Sequence, residues 1–226
     1  LFAALLLARS GFRPLVLERG PELDERVKAV EHFEKTGELN LNANIQFGEG
    51  GAGTFSDGKL TTRVGDPLCA FVTDAFLQHG APADIAWRQK PHVGTDLLRG
   101  IIRSIRQEII ALGGEVRFNT ALTGLKIENG ALAGVETTAG DFACEQLILA
   151  VGHSARDTFA MLHGSGLPLE CKPFSVGFRA EHLQTEIDKS LYHAAAGHPV
   201  LPVGEYQLSQ HVSGGRCVYT FCMCPG

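Results

Sequence analysis

The chain opens on a run of apolar residues at helical spacing, Phe2-Ala-Ala-Leu-Leu-Leu-Ala-Arg-Ser10, closed by Gly11. The alternation then gives way to the wholly apolar triplet Leu15-Val-Leu17, the pattern of a strand covered on both faces. Glu22–Thr36 is charged and helix-permissive, with Gly37 as its stop. Residues 44–60 hold five glycines and read as a loop, and Asp66–His79 reads as a helix ended by Gly80. The clearest helix runs from Asp96 to about Leu112, with Thr95 as N-cap. Its apolar face is Leu98, Ile101, Ile102, Ile105, Ile109 and Leu112.

Three strand-like segments follow, Glu115–Thr120, Leu122–Glu128 and Ala131–Thr138, which predict a small antiparallel meander. Asn129-Gly130 marks a tight hairpin between the last two. Gln146-Leu-Ile-Leu-Ala-Val151 is a further apolar strand ending at Gly152. After Pro168 the texture changes, and Lys172–Glu181 and Arg216–Cys224 read as strands separated by polar segments. The expected division is 1–168 and 169–226.

The 226 residues are 44% hydrophobic and 20% charged, enough to fill a core. A net charge of −5 gives no electrostatic reason to bind nucleic acid or an anionic membrane. No apolar run approaches the roughly 20 residues that span a bilayer. Leu1–Ala8 has the length of a signal-peptide core but lacks a basic flank, so a buried helix is expected. Six cysteines without zinc spacing predict reduced thiols and a cytoplasmic protein. No metal site is expected.

Three motifs carry chemistry. The first is Arg13-Pro-Leu-Val-Leu-Glu-Arg-Gly-Pro21. A helix, a buried strand and an acid at the strand's carboxyl end form the second half of a dinucleotide-binding βαβ unit. There Glu18 accepts hydrogen bonds from the hydroxyls of an adenosine ribose. A glutamate favours an unphosphorylated ribose, as in FAD or NAD. Leu1 falls inside the helix, so the phosphate-binding glycine loop is expected upstream of it.

The second motif is Gly48-Glu-Gly-Gly-Ala-Gly53 with Thr54-Phe-Ser-Asp-Gly-Lys59. Its glycines permit close backbone approach to a ligand, and Ser56 and Lys59 add a hydroxyl and a cation. It is not a Walker loop. The third is the strand end Ala150-Val-Gly-His-Ser-Ala-Arg-Asp-Thr158, placing Gly152 and His153 where a dinucleotide crosses a sheet edge.

With Asn44–Leu60, Pro91–Asp96, Pro173–His182 and Tyr219–Gly226, these strings resemble a family of FAD-dependent dehydrogenases among the FAD/NAD(P)-binding Rossmann flavoproteins. The resemblance implies an α/β fold: an FAD-binding Rossmann-like three-layer domain with an antiparallel β-meander, then the start of a second, β-rich substrate domain. It implies that Glu18 and Arg19 lie at the ribose. Gly50, Gly51, Ala52, Gly53, Ser56, Asp57 and Lys59 would pass along the pyrophosphate and isoalloxazine. Leu122 would meet the adenine, and Gly152, His153 and Arg156 would lie against the cofactor. His153 and Lys59 are the catalytic candidates, able to stabilise a reduced, anionic flavin.

The implied function is FAD-dependent oxidoreduction of a small-molecule substrate, with NAD(P)H or another electron donor as partner. A flavin-containing electron carrier without small-molecule catalysis is the alternative. A plain NAD dehydrogenase is disfavoured by the 44–60 loop and the meander. The glycine loop before Leu1 and the late Gly-Asp element of this class are both absent, so the chain alone is expected to be poorly stable and free of FAD.

Overall fold

The computed structural model describes residues 1–55, 58, 60, 64–87 and 93–220, the side chain of Thr95 excepted. Two compact units divide the chain, Leu1–Leu169 and Glu170–Gly226.

In the first unit, α1 (Phe2–Arg9) leads into β1 (Leu15–Leu17) and α2 (Leu23–Thr36). Gly37 ends α2 with φ 77°, and its N–H returns to Phe33 O at 2.8 Å. This left-handed cap is the stop that the sequence predicts. α3 (Leu68–Gln78) and α4 (Thr95–Ala111) follow. Leu98, Ile101, Ile102, Ile105 and Ile109 of α4 are buried against Leu5 of α1 and Phe76 of α3. Ile105 has no exposed surface, and its truncation to alanine would cost about 2–5 kcal/mol.

β1 pairs in parallel with β2 (Glu115–Arg117), Val16 opposite Val116. The sequence put 115–120 in the meander, and the structure corrects this. After Gly113-Gly114 the chain turns back so that the Glu115 N–H donates to Pro14 O at 2.9 Å, which commits the segment to β1. The meander is instead β3 (Leu122–Glu128), β4 (Ala131–Thr137) and β5 (Gly140–Ala143), with Leu125 opposite Val135 and Val135 opposite Phe142. Asn129 and Gly130 both have positive φ, 52° and 80°, as a type I′ turn requires.

Gln146–Val151 forms no ladder with another described segment, and Ile148 and Leu149 are exposed. An apolar run becomes a strand only where neighbouring strands take its backbone groups, and among the described residues none pairs with it. α5 (Arg156–Gly164) closes the unit and packs on β3.

The second unit holds α6 (Gln184–Tyr192) and the antiparallel pair β6 (Ser209–His211) and β7 (Cys217–Tyr219). Residues 172–181, expected as a strand, have no ladder partner among the described residues, and Phe174, Val176 and Phe178 are exposed. No helix among the described residues is long and apolar enough to cross a membrane.

Candidate functional site

The carboxyl end of β1 gathers two of the three sequence motifs around a single residue. The ladder continues past the strand, with the Glu18 N–H on Arg117 O and the Thr120 N–H on Glu18 O, both at 2.9 Å. This fixes the backbone of Glu18. Its half-buried carboxylate then accepts two amides on one oxygen, Oε1: Gly20 N–H at 3.0 Å and Gly48 N–H at 2.9 Å. Oε2 accepts no hydrogen bond from another described residue. Gly20 and Gly48 are packed backbone to backbone. A Cβ on Gly20 would stand 2.5 Å from the Gly48 nitrogen and 2.6 Å from Asn42 O.

Arg19 points away from Glu18. Its guanidinium makes a forked pair with Asp157 in the first turn of α5, Nη1 donating to Oδ1 at 3.1 Å, and lies 4.6 Å from the centre of the Phe47 ring. The pair holds the Asp157 carboxyl below the ordinary aspartate value. Arg19 therefore ties the 150–158 motif and the 44–53 loop to the end of β1, and its charge is already engaged by Asp157.

The loop itself is organised by residues that sequence reasoning missed. Arg26 of α2 is wholly buried and donates to the carbonyls of Asn44 (3.0 Å), Ile45 (2.8 Å), Gly48 (3.2 Å) and Glu49 (2.5 Å). Burial pulls the guanidinium down to about 10, opposed by the charges of Glu18 and Glu49, so it stays protonated at neutral pH. The buried Glu49 takes the Leu23 N–H at the start of α2 on Oε2 (3.0 Å) and faces Arg106 Nε of α4 with Oε1 (2.7 Å). Thr54 Oγ1 donates to Glu49 O at 3.2 Å. The available signal was periodicity: Leu23, Arg26 and Val30 share the buried stripe of α2, a cation where the pattern calls for a hydrophobe.

The other expected site residues divide. Gly50 has φ 84°, and a Cβ there would collide with Thr54 Oγ1. Gly51 has φ 66° with nothing within 4 Å of a Cβ. Ala52 and Gly53 are exposed at the start of a short 3₁₀ turn. Leu122 begins β3 opposite Thr137. Gly152, His153 and Arg156 are exposed, and His153 Nδ1 lies 3.2 Å from Ser154 Oγ. Ser56, Asp57 and Lys59 lie outside the described residues. Among the described residues no group of three or more His, Cys, Asp or Glu is placed to hold a metal ion.

Residues 173–226 match the family of FAD-dependent proteins, C-terminal domain-like. The whole chain is 49% identical over 227 residues to an uncharacterised protein of Clostridium beijerinckii, and it spans 43% of that protein's length.

Among solved structures, the chain is similar to glycine oxidase from Bacillus cereus, with 13% identity and a TM-score of 0.43, covering 72% of this chain and 56% of that one. It is also similar to L-amino acid deaminase from Proteus myxofaciens, with 15% identity and a TM-score of 0.36, covering 74% and 46%. Both scores are too low to assign the fold.

FAD is the cofactor of the matched family, and the residues at the end of β1 fit the ribose portion of such a group. A carboxylate is fixed by two backbone amides with one oxygen spare, against a glycine-lined loop packed too closely for a side chain at Gly20. A vicinal diol needs an acceptor of this kind.

Proposed function

We propose that this chain is part of an FAD-dependent oxidoreductase and carries the adenosine-ribose corner of its cofactor site. The observation that supports this reading most is the Glu18 carboxylate, oriented by Gly20 and Gly48 with Oε2 left to accept a ligand hydroxyl. The full reading is a Rossmann-like three-layer domain over 1–168 and the start of a substrate domain over 169–226.

Glu18 would hold the ribose diol. Gly50, Gly51, Ala52 and Gly53, with Ser56, Asp57 and Lys59 beyond them, would line the pyrophosphate and flavin. The Leu122 backbone would face the adenine. Gly152, His153 and Arg156 would close the site from the α5 side, and Arg19 would hold that side in place through Asp157. When bound, FAD supplies two-electron transfer. His153 and Lys59 would contribute a proton or a positive charge beside it. The substrate is a small molecule, and NAD(P)H or another donor is the electron partner.

The test is the absorption spectrum of the purified full-length protein. Bands near ~370 and ~450 nm that bleach with a reductant are expected of a flavoprotein. A colourless protein that takes up no added FAD would overturn the proposal.

A further inference from the structure

We propose that Arg26 is the positioning residue of the cofactor loop, holding the 44–49 backbone in the one conformation that lets Gly48 orient Glu18. This rests on the FAD reading above.

Among the described residues the guanidinium hydrogen-bonds to backbone carbonyls, and it lies 4.8 Å from the centre of the Phe55 ring. Four of the six carbonyls between Asn44 and Glu49 converge on it, and among the described residues no carboxylate lies within ion-pair distance. Its charge is balanced through space by Glu18 and Glu49. Stability does not call for such a residue. The site lies between Leu23 and Val30 on a buried stripe, and an apolar side chain there would avoid the desolvation of a cation. A buried fork of five N–H donors is suited instead to fixing the shape of a loop whose carbonyls would otherwise face solvent.

The consequence runs through peptide geometry. In a trans peptide the C=O and the following N–H point oppositely. With the Glu49 carbonyl drawn onto Arg26, the Gly50 N–H is turned away from it, at an exposed residue with φ 84°. The Phe47 carbonyl accepts the Asn44 N–H at 3.3 Å, and Asn44 is held by its own carbonyl on Arg26, so the following Gly48 N–H is turned the opposite way and meets Glu18. Gly48 must be glycine because a Cβ would collide with the Arg26 Cδ. Arg26 thus acts on the cofactor through Gly48 and Glu18 and does not itself reach the surface.

The experiment uses the full-length protein, with FAD binding to the apoprotein followed by flavin fluorescence. Arg26→Lys keeps the charge and loses the fork. It is expected to leave the far-UV spectrum of the apoprotein unchanged and to weaken FAD binding by about tenfold or more. Combined with Glu18→Gln, it should add little to the loss from Glu18→Gln alone, because both act through one carboxylate.

FAD affinity unchanged in Arg26→Lys would overturn the inference, as would losses that multiply independently in the double variant. Amide exchange gives a second measurement that needs no variant to fold. The Gly48 N–H of the wild-type apoprotein should be protected, and exchange at the open-loop rate would count against Arg26 as the holder of the loop. Failure of the FAD reading looks different: the wild-type protein itself would bind no FAD, whatever stands at position 26.

Discussion

Glu18 and Arg26 meet through one residue: Gly48 gives its amide to Glu18 at 2.9 Å and its carbonyl to Arg26 at 3.2 Å. An acid at the end of a strand and a cation in a helix core are thereby coupled across a glycine. Neither orientation is fixed by its own element. Three successive segments, the end of β1, α2 and the 44–49 loop, have to come together before Glu18 has a defined direction.

Glu18→Ala in the full-length protein should lose FAD far more readily than Glu22→Ala. Hydrogen bonds to a charged group are worth about 1.5–3 kcal/mol each, so even one lost ribose contact weakens binding by about tenfold or more. Glu22 makes a 3.5 Å contact with Arg106, which Glu49 holds more closely at 2.7 Å, so its removal should change flavin content little. Flavin content after identical purification compares the two, and equal content would remove the ribose role from Glu18.

The glycines of the loop should separate into two kinds. Gly48→Ala drives a methyl into Arg26 and should reduce flavin binding through the loop's own shape. Gly51→Val meets nothing of the protein within 4 Å, so beyond the cost of φ 66° it should act only by blocking FAD. Gly130→Ala sits in the hairpin at φ 80° and should cost about 1 kcal/mol of stability with flavin content intact. A yellow Gly51→Val protein of normal stoichiometry would show that the loop does not face the cofactor.

Much of this was readable from local pattern, and the part that was not depends on distant partners. The α2 stop at Gly37, the apolar face of α4 and the Asn129-Gly130 hairpin are each specified within a few residues, and each is found where the pattern puts it, except that Leu112 follows α4 and is exposed. The pairing of 115–117 with β1 depends on a residue a hundred positions earlier, Pro14, accepting from Glu115. The unpaired state of 146–151 depends on neighbours that periodicity does not see. At the site, Glu18 was legible because strand-end acids have a local signature. Arg26, Glu49 and Arg106 were not, since a charged residue in a helix reads as solvent-facing until its burial is known.

Acid should loosen the α1–α3–α4 corner. Arg9 Nε contacts Glu108 Oε1 at 2.6 Å, and His79 Nε2 lies 2.8 Å from Oε2. The Arg9 hydrogen bond is the main cause that holds the Glu108 carboxyl below its ordinary value of 4.5. A depressed carboxyl stabilises the fold above its unfolded pKa, and that contribution is lost as pH falls through the folded value. Urea unfolding of the full-length apoprotein should therefore show stability falling below about pH 4.5 with a slope that Glu108→Gln reduces. An identical acid limb in the two proteins would show that the cluster contributes nothing.

The 226-residue chain taken alone should bind hydrophobic dye and no FAD. Phe174, Val176 and Phe178 alternate along an extended segment at 85%, 87% and 104% exposure, and Ile148 is 62% exposed in another segment without a ladder. Alternating apolar side chains on an unpaired backbone are the pattern of a strand awaiting both a sheet and a covering layer. Exposed apolar side chains in such segments are uncommon in a stably folded monomer. ANS fluorescence should therefore be high for the isolated chain and low for the full-length protein. Calorimetric titration with FAD should give no heat in the first and a micromolar or tighter isotherm in the apoprotein of the second. Tight binding by the isolated chain would mean that Glu18 and its loop anchor the cofactor unaided, and low ANS fluorescence would mean that these segments are covered within the 226 residues.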